Sequence, residues 1–194
     1  TRSVVNAIEY LEHDVVLSSD KTLLSGCSHI ILPGVGSFKK AMDNLSQKNL
    51  IPILQGIVLK EKRYFLGICV GMQILARSGE EFGEHAGLGW IEGKTRKLDI
   101  SGHELRLPHI GWNEVTNIGS DFTLFNGLSN NPTFYFVHSY ALCLQEALPF
   151  SAYSNYGNKF LAAVQKETVF GVQFHPEKSQ RDGLKLLNNF CNLK

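Results

Sequence analysis

The fold is decided by residues 64–73, which read YFLGICVGMQ. Tyr64 to Ile68 form an apolar run with the length of one buried strand. From Val70 onward the apolar residues return to helical spacing, which predicts a helix over Val70 to Arg77. A buried strand that turns at once into a helix is typical of an α/β protein with parallel strands.

The turn between this strand and helix is Gly67-Ile68-Cys69-Val70-Gly71, a G-x-C-x-G sequence. It places a cysteine where a nucleophile elbow places a serine. The glycines allow a strained turn, the helix start favours a thiolate, and the Val70 N–H points to where an oxyanion would form. Most free cysteines are small buried apolar residues. Because this one ends a central strand, where open α/β sheets bind ligands, we interpret Cys69 as a nucleophile.

A thiol nucleophile needs a base, and the candidate is His175. It follows a strand predicted over Val169 to Phe174 and opens the sequence His175-Pro176-Glu177. If Pro176 holds the segment extended, His175 and Glu177 project to the same side, so the carboxylate can orient the imidazole. The sequence therefore predicts a triad of Cys69, His175 and Glu177.

An earlier strand, His29 to Leu32, ends in the glycine turn Pro33-Gly34-Val35-Gly36, and a helix is predicted from Ser37 to Leu50. The turn could be a phosphate-binding loop, but no Lys-Ser/Thr follows it and the third glycine of a dinucleotide fingerprint is missing. A free backbone N–H at Gly34 and Val35 suits a second oxyanion donor better, because this turn follows a neighbouring strand.

The remaining pattern predicts one domain over residues 1–194. A helix over Ser3 to His13 and a short strand over Val15 to Leu17 come first, and a strand normally precedes such a helix, so we expect one before Thr1. After Gly89, short β-like runs alternate with turns, which indicates a smaller antiparallel region. We expect a flavodoxin-like or Rossmann-like α/β fold with a central, mostly parallel sheet flanked by helices.

Composition excludes several classes of function. Lys and Arg number 19 against 18 Asp and Glu, and no basic run exceeds two residues, so nucleic-acid binding is not expected. The four cysteines are far apart and show no zinc-ligand spacing, so we expect no metal and no disulfide scaffold, and nothing indicates a cofactor. No apolar run approaches the ~20 residues of a membrane helix and no signal-peptide pattern is present, so we expect a cytoplasmic protein.

Another predicted strand end concentrates polar atoms in Val137-His138-Ser139-Tyr140. This tetrapeptide could be a binding loop or a simple strand cap. The residues by themselves leave both open.

Three motifs in this order resemble the class I (triad) glutamine amidotransferase family: PGVGSF at 33–38, GICVGMQ at 67–73 and FHPE at 174–177. The resemblance covers essentially the whole chain. Within the family, residues 111–113, 136–140 and 173–180 look like the glutaminase subunits of imidazole glycerol phosphate synthase, an enzyme of histidine biosynthesis. Family members usually open with an apolar strand and a Tyr-Gly-x-Gly-Asn type loop before a segment like Ser3-Val4, and that opening is absent here.

The resemblance implies that Cys69 attacks the side-chain amide of glutamine, releases ammonia and leaves a γ-glutamyl thioester that water cleaves. His175 would shuttle the protons, and the N–H groups of Val35 and Val70 match the family's oxyanion donors. The positions that match the family's glutamine-holding residues are Gly36, Gln73, Glu81, His138, Ser139 and Tyr140.

The resemblance also implies a partner, a (β/α)₈ barrel cyclase that forms a heterodimer and receives ammonia through an internal tunnel. Trp112, Asn113 and Lys178 fall where the family builds that interface, although a surface Trp or Lys can equally have no function. Two alternatives stay open: a paralogous glutaminase that supplies ammonia for a surface-polysaccharide sugar, and a non-catalytic subunit that binds an amino acid. A cysteine protease is disfavoured because the glutamine-site motifs would then be coincidental.

Overall fold

The central sheet is built around the strand that leads into Cys69. In the computed structural model this strand, Tyr64–Cys69, is buried beyond its first residue and has a parallel neighbour on each side. Strands covered on both faces read as continuous apolar runs, which explains the sequence of residues 64–68. The structure describes residues 1–116, 118–119 and 121–194.

Strands and helices are numbered in chain order through the described residues. The strands are β1 (His29–Gly34), β2 (Tyr64–Cys69), β3 (Ser78–Gly79), β4 (His85–Ala86), β5 (Gly93–Lys97), β6 (His109–Glu114), β7 (Thr133–His138), β8 (Tyr140–Leu144), β9 (Phe150–Tyr156), β10 (Asn158–Lys166) and β11 (Val169–Val172). The α-helices are α1 (Arg2–Tyr10), α2 (Lys21–Ser25), α3 (Phe38–Gln47), α4 (Leu50–Leu54), α5 (Val70–Gln73) and α6 (Gln180–Cys191). A π-helical segment, Gln55–Lys60, continues α4, and 3₁₀ turns cover Thr123–Phe125 and Pro176–Lys178.

The main sheet has the strand order β1-β2-β11-β10-β9. It is parallel across β1, β2 and β11 and antiparallel across β11, β10 and β9. The register pairs Gly34 with Cys69, so the ends of β1 and β2 are level. The carboxyl ends of parallel strands meet at one edge of the sheet, which is where open α/β sheets bind ligands. This edge therefore gathers the glycine turn, the cysteine turn and the segment after β11.

Two smaller sheets form the largely antiparallel region. One has the order β4-β3-β5-β8, in which only β3 and β5 pair in parallel, and the other is the antiparallel pair β6-β7. The β6-β7 register places His109 opposite His138. The chain passes from β7 to β8 through Ser139 alone, so the tetrapeptide 137–140 lies where two sheets meet.

Buried aromatic rings attach the β6-β7 pair to the main sheet. The rings of Phe134 and Phe174 stack with centroids 3.9 Å apart, Phe136 meets Phe174 at 5.6 Å, and all three side chains are fully buried. Burial of each such ring stabilises the fold by about 1.5–3 kcal/mol. The His175 N–H also donates to the Tyr135 carbonyl at 2.9 Å. The segment that carries His175 is therefore fixed between β7 and the main sheet.

Glycines allow β1, β2 and α5 to approach one another closely. A Cβ atom on Gly71 would lie 2.1 Å from the Leu32 carbonyl oxygen, and one on Gly34 would lie 2.3 Å from the Gly71 nitrogen. A Cβ on Gly67 would lie 2.4 Å from the Gly71 carbonyl oxygen. No side chain fits at these three positions without backbone movement, so the glycines of both turns have a packing role.

The helix predicted over Val70 to Arg77 is shorter in the structure. Helix α5 ends at Gln73, and the Arg77 N–H, which would have to donate to the Gln73 carbonyl to continue it, donates instead to the Gly93 carbonyl at 3.1 Å. The Gln73 carbonyl accepts the Thr95 hydroxyl at 2.8 Å. The carbonyls of residues 74–76 accept hydrogen bonds from the N–H groups of residues 88–91. Tertiary contacts therefore override the local helical pattern.

The short strand predicted over Val15 to Leu17 is also wrong. These residues are exposed and form no regular element. A β-like run becomes a strand only when its backbone pairs with another strand, and within the described residues none pairs with this run.

The predicted fold class is confirmed: helices flank a central sheet with a parallel core, and a smaller, largely antiparallel region is attached.

The helix predicted from Ser37 begins one residue later, with Ser37 as its cap, and ends at Gln47. No helix in the described ranges has both the length and the apolar character needed to span a membrane.

We expect Gly71→Ala to lower the free energy of unfolding by about 1–3 kcal/mol, because the added methyl group forces β1 and α5 apart. Gly56→Ala is the matched control, since no atom lies within 4 Å of a Cβ there and alanine favours a helix. Urea titration of both variants measures the difference. Equal stability of the two variants would show that the close packing is not required.

Candidate active site

Cys69 occupies a strained turn at the carboxyl edge of the sheet. Its backbone has φ 55° and ψ −112°, a conformation that L residues rarely adopt and that costs on the order of 1–3 kcal/mol. The residue is the cap of α5 and is 5% exposed. Strain of this kind at a strand-to-helix turn is the geometry of a nucleophile elbow, as the sequence predicts.

His175 and Glu177 form a buried ion pair. His175 Nδ1 lies 2.9 Å from Glu177 Oε1, and the two side chains are 6% and 7% exposed. The carboxylate can only accept, so Nδ1 carries a hydrogen and Nε2 is the nitrogen left for chemistry.

The segment from Pro176 to Lys178 is a 3₁₀ turn and not the extended chain expected from the proline. Two hydrogen bonds to the His175 carbonyl close the turn, from the Lys178 N–H at 3.0 Å and from the Ser179 hydroxyl at 2.6 Å. The turn still brings the His175 and Glu177 side chains together.

The charge of His175 depends on its neighbours. Burial on its own would lower the pKa of His175, but interactions with Cys69 and with the Glu177 carboxylate raise it to about 9. The ring is therefore protonated at neutral pH. An imidazolium beside a cysteine favours the thiolate, which is the reactive form of the thiol.

Gln173 is a residue of the site that the sequence argument did not single out. Its side-chain Nε2 donates to the Cys69 sulfur at 3.7 Å, and the residue is fully buried. A signal was present: Gln173 interrupts an apolar strand sequence two residues before His175. Because side chains alternate along an extended chain, both residues face the same side.

The predicted oxyanion donors lie beside the cysteine. Gly34 pairs with Cys69 across β1 and β2, and a Cβ atom on Gly34 would touch Val70 at 2.7 Å. Val35 follows directly, and Gly36 has φ 91°, which turns the chain into α3. Within the described residues, neither the Val35 nor the Val70 N–H has a hydrogen-bond acceptor. Their role as donors to an oxyanion stays a prediction.

Two of the predicted glutamine-holding residues contact each other. Gln73 is buried, and its Nε2 donates to the Tyr140 carbonyl at 2.8 Å and to Gln173 Oε1 at 3.1 Å. Partial burial and the carboxylates of Glu81 and Glu80 raise the pKa of the Tyr140 phenol.

Glu81 is joined to the glycine turn. Its Oε2 accepts the Phe38 N–H at 2.7 Å, at the start of α3. Glu81 therefore links the predicted glutamine site to the helix that follows Gly36. The structure thus joins Gln73 to Tyr140 and Glu81 to the start of α3.

His138 acts as a strand cap in the structure. Its Nδ1 donates to the Tyr140 carbonyl at 2.9 Å, across Ser139. Ser139 itself contributes a carbonyl that accepts the Leu98 N–H at 2.8 Å. His138 Nε2 faces His109 Nδ1 at 3.4 Å.

These two histidines are neutral near physiological pH. Burial lowers the pKa of His138 to about 3 and that of His109 to about 4. Their ring nitrogens serve as fixed hydrogen-bond donors and acceptors and not as charges.

Of the predicted interface residues, Trp112 on β6 and Lys178 in the turn after His175 both lie against the Tyr135 ring of β7. Trp112 is 48% exposed and meets the Tyr135 ring edge to face at 6.1 Å, and Lys178 Nζ lies 5.9 Å from the centroid of the same ring. Ile110, two residues before Trp112, is 60% exposed. We call Ile110, Trp112, Tyr135 and Lys178 the Trp112 patch. Asn113 points elsewhere and donates to the Asn155 carbonyl at 2.7 Å.

The chain is similar in sequence to characterised families and proteins. A family model described as "Glutamine amidotransferase class-I" matches residues 2–193. The chain is 49% identical over 172 residues to "Imidazole glycerol phosphate synthase subunit HisH" of Leptospira interrogans, covering 88% of this chain and 83% of that protein. It is 42% identical over 195 residues to the protein of the same name from Pelagibacter ubique, covering 98% and 93%.

Solved structures share the fold at lower identity. A crystal structure titled as a glutamine amidotransferase has a TM-score of 0.73 and 18% identity, covering 97% of this chain and 90% of that one. The structure of PurLQS from Thermotoga maritima has a TM-score of 0.72 and 20% identity, covering 98% and 91%. At this level of identity the likeness concerns the fold.

We expect the stability of the protein to fall as the pH rises through the pKa of His175. The raised pKa means that the folded state holds this proton more tightly, so the stabilisation is complete below about pH 6.5, the ordinary histidine value, and is lost toward about pH 9. At ~1.4 kcal/mol for each pKa unit, the upper limit is about 3 kcal/mol. Urea unfolding across this pH range measures it.

The matched variants for this test are His175→Gln and His103→Gln, the second at an exposed position. His175→Gln should flatten the pH dependence in this window, whereas His103→Gln should keep it. An unchanged slope in His175→Gln would contradict the assignment.

Proposed function

The chain belongs to the class I glutamine amidotransferase family, and on that basis we propose that Cys69, His175 and Glu177 hydrolyse the side-chain amide of glutamine to glutamate and ammonia. The observation that carries this proposal is a strained, buried Cys69 next to an ion-paired His175. The resemblance drawn from the three sequence motifs is confirmed by the family match over residues 2–193. The chain is a glutamine-hydrolysing enzyme, and its relatives are subunits of imidazole glycerol phosphate synthase.

The first half of the reaction forms a thioester. The Cys69 thiolate attacks the side-chain carbonyl carbon of glutamine, and the carbonyl π electrons move to the oxygen. The N–H groups of Val35 and Val70 donate to this oxyanion, which lowers the barrier because the charge develops there. As the intermediate collapses, the carbon–nitrogen bond breaks and the His175 imidazolium gives its Nε2 proton to the leaving nitrogen, so ammonia departs.

The second half returns the enzyme to its starting state. Neutral His175 takes a proton from water through Nε2 while the water oxygen attacks the thioester carbon. The carbon–sulfur bond then breaks, which releases glutamate and restores the thiolate beside an imidazolium. Glu177 keeps its hydrogen bond to Nδ1 throughout, so it holds the ring orientation and stabilises the positive charge.

We infer that Gly36, Glu81, Ser139 and Tyr140 contact glutamine. Glu81 uses one carboxylate oxygen for the Phe38 N–H, and its charge can pair with the α-ammonium group of glutamine. Gln73 and His138 act indirectly, by holding the Tyr140 carbonyl.

The partner is a second subunit of imidazole glycerol phosphate synthase, and we infer that it is a (β/α)₈ barrel cyclase that binds the Trp112 patch and receives the ammonia. Exposed aromatic side chains are frequent anchors of protein interfaces. Lys178 lies three residues after His175, so the patch adjoins the reaction site in the chain. Identities of 42–49% to HisH subunits favour the histidine pathway over a sugar-aminating paralogue.

We place the protein in the cytoplasm. Its four cysteines are free thiols, and free thiols persist in a reducing compartment. A biosynthetic role in histidine synthesis agrees with that location.

We expect Cys69→Ala to reduce glutamine hydrolysis by at least about a thousandfold, because no thioester can form. Glutamine binding, measured by calorimetry, should stay within several-fold of the wild type because the remaining contacts are intact. Mass spectrometry should detect a γ-glutamyl adduct on Cys69 of the wild-type protein only. Cys143→Ala, at an exposed thiol, is the control that keeps full activity. Turnover by Cys69→Ala would rule out the covalent mechanism, and loss of binding would point to a different substrate.

We expect a barrel cyclase loaded with its histidine-pathway ribonucleotide to stimulate glutamine hydrolysis, and Trp112→Ala to raise the cyclase concentration for half stimulation by about tenfold or more. Leu23→Ala, which removes an exposed apolar side chain from α2, is the matched control. No stimulation by the histidine-pathway cyclase would favour the paralogous sugar-aminating function. Stimulation that is equal in all three proteins would place the interface elsewhere.

A further inference from the structure

We propose that Gln173 is a further catalytic residue, which donates a hydrogen bond to the Cys69 thiolate and is held in that orientation by Gln73. This inference rests on the proposed role of Cys69 as nucleophile. It adds to that role a donor outside the triad and outside the oxyanion turn. The donor acts on the sulfur itself, at 3.7 Å.

The orientation of the Gln173 amide follows from a backbone carbonyl. A carbonyl oxygen can only accept, so the Gln73 side-chain atom 2.8 Å from the Tyr140 oxygen must be Nε2. The second hydrogen of the same nitrogen points to Gln173 at 3.1 Å, so the atom it meets there must be the acceptor Oε1. The Gln173 nitrogen therefore faces the other way, toward Cys69. The nitrogen and oxygen of an amide are hard to tell apart by shape, and this chain of partners decides between them.

The hydrogen bonds that orient Gln73 extend beyond Tyr140. Its carbonyl also accepts the Nδ1 hydrogen of His138 at 2.9 Å, and His138 Nε2 faces His109 at 3.4 Å. Two donors therefore fix one oxygen atom. Burial lowers the pKa of both histidines to well below neutrality, so the protonation state of both rings is constant across the working pH range.

The environment makes the donor effective. Cys69, Gln73 and Gln173 are at most 5% exposed, so the hydrogen bond to the sulfur is largely shielded from water. A buried hydrogen bond to an anion is stronger than one between neutral groups, and it favours the charged form of the acceptor. Within the described residues, Gln173 Nε2 donates to one acceptor, the Cys69 sulfur. If the amide had only a packing role, an apolar side chain would fill the same space without a polar group to satisfy.

The titratable group that interacts with the sulfur is His175, which follows β11 and has Glu177 behind it. His138, which ends β7, interacts with His175. His175 attracts the thiolate through its charge, and His138 is neutral. The uncharged Gln173 donor therefore adds to the effect of His175 and does not replace it.

The test measures the reactivity of Cys69 directly and needs no glutamine turnover. Iodoacetamide alkylates the thiolate, and peptide mass spectrometry separates Cys69 from the other three cysteines. We expect Gln173→Met, which keeps the length of the side chain but has no donor, to be alkylated about tenfold more slowly at neutral pH and to reach full reactivity at higher pH. Its turnover number should fall by a similar factor, and its KM for glutamine should change by less than about twofold.

Gln165→Met is the matched control, because Gln165 is on β10 and donates to the Glu167 carbonyl, away from the site. It should keep the wild-type alkylation profile. Gln73→Met removes the hydrogen bond that orients the Gln173 amide but leaves the Gln173 donor in place, so it should shift the alkylation profile in the same direction by a smaller amount. This variant decides the question if Gln173→Met does not fold.

Two results would overturn the inference. One is a wild-type alkylation profile in folded Gln173→Met, and the other, where that variant does not fold, is a wild-type profile in Gln73→Met. In either case an inactive Cys69→Ala variant would leave the proposed glutaminase function intact. Turnover by Cys69→Ala would instead remove the function on which this inference rests.

Discussion

The site depends on one constraint, the positive φ of Cys69 at the end of β2. This conformation lifts the cysteine out of the strand direction, and its cost is met by close packing of the backbone around it. Glycines at 34, 67 and 71 let β1, β2 and α5 approach to distances that no side chain permits. The strained turn therefore depends on the packing, because it is held only while β1, β2 and α5 are in contact.

The side chains that contact the Cys69 sulfur come from the segment that follows β11, the strand paired with β2. The chain leaves β11 with Gln173, Phe174 and His175, whose side chains alternate between site and core. Phe174 packs against the rings of Phe134 and Phe136. These contacts fix the positions of Gln173 and His175 relative to Cys69. Residues 173–175 thus make both a core contact, through Phe174, and contacts with Cys69, through Gln173 and His175.

Much of the site can be read from the sequence because its chemistry is local. The elbow needs glycines at fixed offsets from Cys69, and the acid is two positions from His175, so short motifs reveal both. The extent of α5 could not be read in this way, because the Arg77 N–H donates to the Gly93 carbonyl and the Gln73 carbonyl accepts the Thr95 hydroxyl, both from a distant strand. The choice between loop and cap for His138 was open for a similar reason: it depends on the Tyr140 carbonyl, whose direction is set by the junction between two sheets.

The sequence by itself therefore determined the fold class and the family, and it predicts the nucleophile, base and acid, since strand-turn-helix patterns and short motifs encode these within a few residues. Only the tertiary structure decided which way the Gln173 amide faces, why Gln73 is buried and which side chains join Trp112 in one patch. The physical reason is distance along the chain. Gln73 and Gln173 are 100 residues apart, and their hydrogen bond exists only after β2 and β11 have paired and β8 has brought in its carbonyl.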